Sequence, residues 1–301
     1  MTVQTILITG ATGLIGKRLV QELTAEGYSV LKAVRRPARH DDEVRWIPER
    51  NDFDTTRLAG IHAVVHLAGA NVAGQRWSDP YKQEIRESRV KGTRLIAQAL
   101  AGLDDKPRVL VCASAIGYYG DRGDELLTED SPPGKGFLPE VCTAWEDSCQ
   151  AARDAGIRTV NTRIGVVLSK NGGALKSMLL PFKLGLGGVV GKGTQYISWM
   201  EIDDIARALR FVLETETISG PVNLVAPHPA TNREFTKVLG TVLGRPTIVP
   251  MPEFITRLLL GEMGEELLLS STRVKPEKLQ QAGFAWQYPQ LEPALWHVID
   301  Q

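Results

Sequence analysis

Gly10-Ala-Thr-Gly13-Leu-Ile-Gly16 is a glycine-spaced turn set between the run Thr5-Ile6-Leu7-Ile8-Thr9 and a stretch with helical apolar spacing. Glycines so placed let the backbone turn tightly and approach a pyrophosphate, whose charge is favoured by the open N–H groups of a helix N-terminus. A glycine string alone is common; its place between a first strand and a first helix gives it content. Gly10, Thr12, Gly13, Leu14 and Ile15 are the expected contacts. At the end of the second strand such a site selects its nucleotide. An acid there accepts from the 2′-hydroxyl of NAD, whereas Arg pairs with the 2′-phosphate of NADP. The chain reads Val34-Arg35-Arg36-Pro37, with no carboxylate before Asp41. Guanidinium groups match phosphate bidentately, so Arg35 and Arg36 predict NADP (NADPH). The alternative leaves one or both as solvated surface charges, Arg36 sooner than Arg35. His66-Leu67-Ala68-Gly69-Ala70 closes the fourth strand, and its small residues let the chain pass close to the ribose and pyrophosphate, adding Leu67, Ala68 and Gly69 to the site. His66 itself reads as a packed histidine rather than a catalyst.

The elements that must position these residues alternate regularly. Strands are expected at Thr5–Thr9, Tyr28–Val34, Val44–Ile47, Ala63–Leu67, Arg108–Ala113 and Arg158–Arg163. Helices are expected from Leu14 to Glu26, from the cap Ser78 to Leu100 with Pro80 in its first turn, and from Leu138 to Ala155. Such alternation predicts an α/β fold, a Rossmann-type doubly wound parallel sheet. After Ser169 the rhythm breaks into a long glycine-studded region. A helix (Ile202–Glu214), a strand (Val222–Val225), a helix (Asn232–Leu243) and Pro-punctuated short helices follow. The division expected is residues 1–168 as the cofactor domain and 169–301 as a smaller C-terminal α/β substrate lobe that returns some elements to the first.

Composition excludes several classes. The 301 residues carry 35 Lys+Arg against 35 Asp+Glu, and 43% are hydrophobic. A net charge of zero argues against nucleic acid as the main partner, and no apolar run approaches the ~20 residues of a membrane helix. Met1-Thr2-Val3-Gln4-Thr5 lacks the basic start and apolar stretch of a signal peptide and enters a strand directly. Cys112, Cys142 and Cys149 lack metal-ligand spacing, so no metal is expected, and they suit a reduced, cytoplasmic protein.

Taken together, the glycine turn, His-Leu-Ala-Gly-Ala, Lys91-Gly-Thr93, Ser114 to Gly120 and Trp199-Met-Glu-Ile-Asp-Asp204 resemble the extended short-chain dehydrogenase/reductase family. Leu179 to Gly188, Val141 to Glu146 and Arg273 to Lys278 resemble its YfcH-like epimerase subfamily, and that resemblance spans essentially the whole chain. It implies an NAD(P)-binding oxidoreductase or epimerase working on a small-molecule substrate, and a homodimer paired through the long helix after the fourth strand and its neighbour.

One departure concerns the chemistry. Ordinary members carry Tyr-x-x-x-Lys at the start of the helix placed here at Leu138, where the Tyr moves a proton while the nicotinamide moves a hydride. This helix has Val141 and Trp145 at those positions, and a shift of one residue offers only Cys142 and Glu146. Tyr28-x-x-x-Lys32 matches formally, but four residues along a strand span about 13 Å. The candidates are therefore Ser114 and Tyr118 after the fifth strand and Glu146 on the helix, the last as a general acid/base should burial raise its pKa. Cys142 reads as packing rather than as a nucleophile. Arg89, where relatives place an Asn near the cofactor, Glu84 in the same helix and Arg163 ending the sixth strand complete the expected cofactor contacts. A catalytically inactive NADP-binding regulatory or interaction protein is the competing function.

Overall fold

The computed structural model describes residues 3–300 and contains one eight-stranded sheet. Its strands are β1 (Thr5–Thr9), β2 (Ser29–Val34), β3 (Glu43–Ile47), β4 (Asp52–Phe53), β5 (Ala63–His66), β6 (Val109–Ala115), β7 (Arg158–Ile164) and β8 (Gly220–Leu224). The order is β8-β7-β6-β5-β1-β2-β3-β4, with every neighbouring pair parallel except β3–β4. The chain reverses direction across the sheet between β1 and β5, which opens a crevice at their carboxyl ends. Met1 and Thr2, at the start of the N-terminal stretch, lie outside the described residues.

β1 is central because its apolar run suits burial on both faces. Ile6 and Ile8 pack with Leu19 and Leu23 of α1 (Leu14–Ala25) and with Ile205 and Leu209 of α6 (Ile202–Glu214). Leu7 joins Val64, Leu110 and, from α2 (Asp79–Ala101), Ile96 and Leu100 on the other face. The Ser78 hydroxyl caps α2 by accepting from Tyr81 N. β8 and α6 come from the C-terminal part of the chain, yet both belong to this sheet and its packing. The remaining C-terminal elements build a core around Trp199, Phe235 and Leu239. They include α5 (Gly173–Lys183), α7 (Asn232–Leu243) and the last helix, Leu291–Asp300.

Two expectations are corrected. The single helix over Leu138–Ala155 is two, α3 (Phe137–Asp147) and α4 (Gln150–Asp154). At their junction the Ser148 hydroxyl bonds back to Ala144 O (2.7 Å), a contact that bends helices. The glycine-studded region contains α5, with Pro181 inside it. Glycines and a proline mark a break by composition, but Leu175 and Phe182 are buried and hold the helix by packing. All three cysteines are free and buried.

Candidate active site and cofactor cleft

The glycine turn is shaped by steric need. Gly10 has φ +70°, and a Cβ there would lie 3.0 Å from Ala68 N and Leu67 C. A Cβ on Gly16 would lie 2.1 Å from Gly10 O, so α1 sits directly on the turn. Gly13 caps α1 without a side-chain bond, and the first turn holds no acid. Its N–H groups are thus left open to an anion. Over the turn lies a cavity of about 1150 Å³, which reaches Gly10, Thr12 and Gly13, then Leu67, Ala68 and Gly69, Arg35 and Arg36, and Glu84. Leu14 and Ile15 do not line it. Their side chains pack inward, Leu14 against Gly172 and Ile15 onto the sheet core.

The β1 and β5 ends are tied together by one hydroxyl. Thr9 Oγ1 accepts from Leu67 N (3.2 Å) and Ala68 N (3.3 Å) and lies 2.6 Å from His66 Nδ1. With both backbone donors pointing at it, its single proton goes to Nδ1, which leaves His66 with its proton on Nε2. Complete burial holds His66 down at about 3, so it is neutral and fixes the turn rather than moving protons.

At the nucleotide end Arg36 is paired bidentately with Glu43 (2.6 and 2.8 Å), which also accepts from Arg39 N. The Arg36 contact holds Glu43 down at about 2. Arg35 is the freer side chain, 74% exposed, with only a 3.9 Å approach to Glu49. This reverses the expected order, in which Arg36 was the more solvated. Lys32, expected in the basic patch near the 2′-phosphate, lines the same cavity, and so do Glu43, Trp46 and Asn71, which were not anticipated. Lys32 and Glu43 are register partners across β2 and β3, a relation that no linear motif carries.

The three catalytic candidates do converge, around Arg163. Arg163 donates to Glu146 through Nε (2.9 Å) and Nη2 (3.0 Å), and Ser114 Oγ donates to Glu146 Oε1 (2.7 Å). Tyr118 lies over the guanidinium at 3.5 Å, while Arg163 Nη1 reaches Tyr119 OH and Glu129 O. Arg163 is therefore turned into this buried network and does not line the cofactor cavity. Glu146 is engaged by three donors, an arrangement that positions Ser114 and Arg163. Burial pushes the Tyr118 phenol up, against the opposing pull of Arg163. A second cavity of about 380 Å³ begins beside this network, at Gly117 and Gly120, and extends to Lys135, Glu253, Arg257 and Glu266. Glu266 accepts from Phe137 N and Leu138 N at the start of α3.

At the usual Tyr and Lys positions, Val141 is buried and Trp145 donates to Thr93 Oγ1 (2.9 Å). Arg89 covers the Trp145 ring at 5.0 Å and lies against Gly69, with Nη1 donating to Ile85 O. Burial lowers its pKa, yet a guanidinium stays charged. Arg89 thus sets a cation from α2 against the cofactor turn, over the Trp145 that stands at the family's Lys position, but like Arg163 it does not line the cavity itself. Cys142 is buried, its thiol pushed up to about 12, which suits packing.

Away from the cleft, Glu201 Oε2 caps α6 through Asp203 N and Asp204 N, and its Oε1 is buried without a hydrogen bond. Asp203 bonds to His297 Nε2 (3.0 Å). Asp204 accepts from Gln287 N and Tyr288 N, holding the C-terminal segment in place.

Residues 6–224 match the NAD dependent epimerase/dehydratase family, more than half of the chain. The protein belongs to that family. Residues 251–298 match a domain of unknown function. An epimerase family protein of Mycobacterium bovis is 40% identical over 293 residues, 97% of each chain. The human epimerase family protein SDR39U1, crystallised with NADPH, superposes with a TM-score of 0.91 at 34% identity over 99% of both chains. A nucleoside-diphosphate sugar epimerase of Corynebacterium glutamicum gives a TM-score of 0.83 at 34% identity, covering 99% of this chain and 58% of its own. No helix among the described residues is long and apolar enough to cross a membrane.

Proposed function

We propose that the protein is an NADP-dependent oxidoreductase or epimerase-like enzyme acting on an unidentified small polar molecule. The observation that carries this is a complete dinucleotide cradle whose β2 end presents Arg35 and Arg36. The NADPH held by human SDR39U1, 34% identical over 99% of both chains, supports it. Residues 1–168, with β8 and α6 added, would form the cofactor half, and the remaining C-terminal elements the substrate half. The three buried free thiols suit a reducing cytoplasm.

When bound, the cofactor supplies or accepts a hydride. The open N–H groups of α1 and the Gly69 turn would hold the pyrophosphate, Arg35 would meet the 2′-phosphate, and Arg89 would take over cofactor holding from the missing Lys. Tyr118, beside the second cavity, donates the proton, with Ser114, Glu146 and Arg163 as its positioning frame. Burial pushes the Tyr118 phenol upward, which keeps it in the proton-donating form. Tyr118→Phe is expected to slow turnover about 10²–10⁴-fold, the usual worth of a positioned proton donor, with NADPH affinity unchanged; an unchanged rate removes Tyr118 from the chemistry.

Calorimetry checks the cofactor. NADPH should bind at least about tenfold more tightly than NADH, a difference of ~1.4 kcal/mol, and Arg35→Ala should erase most of the gap. Equal affinities in the wild type would overturn the NADP assignment, and a variant that loses both cofactors alike has lost its fold instead. A catalytically quiet NADP binder is the second reading, favoured by the buried Val141 and Trp145 at the Tyr and Lys positions. Incubating stereospecifically deuterated NADPH with a metabolite pool separates the two: label in any product supports the enzyme, and none supports the quiet binder.

A further inference from the structure

The exposed apolar surface is concentrated in one place. Nine of the twelve large apolar side chains that stand well exposed among the described residues fall between Leu180 and Leu186 or between Ile248 and Leu259. Backbone pairing joins the two segments. Val249 N donates to Gly187 O (3.3 Å), Met251 N to Val189 O (2.9 Å) and Gly191 N to Met251 O (2.8 Å). They pack so closely that a Cβ on Gly188 would lie 1.8 Å from Val249 O. α8 (Glu253–Leu260) starts two residues beyond Met251. Its buried anchor is Thr256, while Phe254 and Leu258, four apart on one side, are 66% and 69% exposed. Leu184, Leu186, Ile248 and Val249 extend this strip along the paired segments.

We propose that this face is where a second copy of the chain docks, the two α8 helices packing about a twofold axis. The exposed area of these side chains is on the order of 900 Å², close to the ~800 Å² that each partner contributes to a standard interface. A twofold contact buries the same patch on both copies and leaves neither half uncovered. The fringe carries both signs. Arg257 lies between Glu253 (3.5 Å) and Glu265 (3.4 Å), and Lys183 and Arg245 stand at the end of α5. With a chain net charge of zero, nothing opposes self-approach. An anionic membrane surface would instead select a Lys/Arg excess around the strip. Beyond Asp79 and Pro80 at its start, the exposed positions of α2, one of the two helices through which the family resemblance implied pairing, are polar: Gln83, Glu84, Arg86, Lys91, Arg94 and Gln98. Glu253 and Arg257 of α8 also line the second cavity, so docking would hold one of its walls in place.

Sedimentation of the full chain across micromolar concentrations tests this. The wild type should run at twice the chain mass, and the double variant Phe254→Glu/Leu258→Glu and the single variant Leu184→Lys at the monomer mass. Both variants should keep the wild-type circular dichroism spectrum. A monomeric wild type overturns the proposal, and so does a dimer that persists in the folded variants. A monomer that co-sediments with phosphatidylserine vesicles overturns it in favour of a membrane. Should the double variant misfold, Leu184→Lys decides, together with hydrogen exchange over residues 248–259, which should slow as wild-type concentration rises.

Discussion

Arg163→Met is expected to lower the free energy of unfolding by about 3–5 kcal/mol, the range for removing one partner of a buried ion pair. Arg163 is 3% exposed and its partner Glu146 12% exposed, so neither recovers its hydration when the other is lost. The variant also strips the Tyr119 hydroxyl and Glu129 O of a donor and takes the cation from beneath Tyr118. Glu146 would keep only the Ser114 hydroxyl and the field of more distant groups. Adding Glu146→Gln to Arg163→Met should restore part of the loss, because the stranded charge is then gone. Urea denaturation with an unchanged m-value is the measurement. A loss below about 1 kcal/mol, the level of exposed pairs, would mean that water reaches the network. The folded fraction of Arg163→Met should bind NADPH much as the wild type does, because the side chain faces Glu146 rather than the cofactor cavity.

The second large effect is a pair of opposed pH dependences. His66 titrates at about 3 in the folded protein against an ordinary 6.5, because burial excludes its cation. Below pH 6.5 the unfolded chain takes up a proton that the native state refuses, so this contribution to stability is lost on acidification. Glu201 behaves in the opposite way. Burial, and then Asp203, raise it to about 7 from an ordinary 4.5, and here the native state holds the extra proton. Its contribution is full below pH 4.5 and is lost as pH rises through 7. Between pH 4.5 and 6.5 the two slopes offset each other. Relative to the wild type, Glu201→Gln should steepen the acid-side loss by up to about 1.4 kcal/mol per pH unit. His66→Gln should tilt the profile the other way by a similar amount. His66→Gln also loses the exact fit to the Thr9 hydroxyl, which moves the whole curve without changing its slope. Urea midpoints across this range at constant ionic strength give the slopes, and parallel profiles for all three proteins would contradict both assignments.

What the residues determined unaided was local. An apolar run, a glycine turn and a helix with apolar spacing are contiguous, so β1, the phosphate-binding turn and α1 are legible within the single stretch Thr5–Ala25, and α2 with its serine cap and α6 between its stated ends are legible in the same way. The lack of a Tyr–Lys pair in α3 could be seen in the same way, because residues four apart in one helix share one face. The tertiary structure alone decided which charged side chain meets which. Arg36 faces Glu43 because β2 and β3 lie side by side in parallel, which left Arg35 as the freer cation. Arg163 and Glu146, on a strand and a helix, meet only once α3 has packed onto the sheet. α5 was hidden because its composition argues for a break while its stability comes from distant core partners. The apolar strip was equally hidden, because Phe254 and Leu258 look like ordinary core residues of an amphipathic helix until the fold leaves them facing water. Backbone preferences act over a few residues and can be read from sequence, whereas the partner of a charge and the exposure of an apolar face depend on elements brought together across the whole chain.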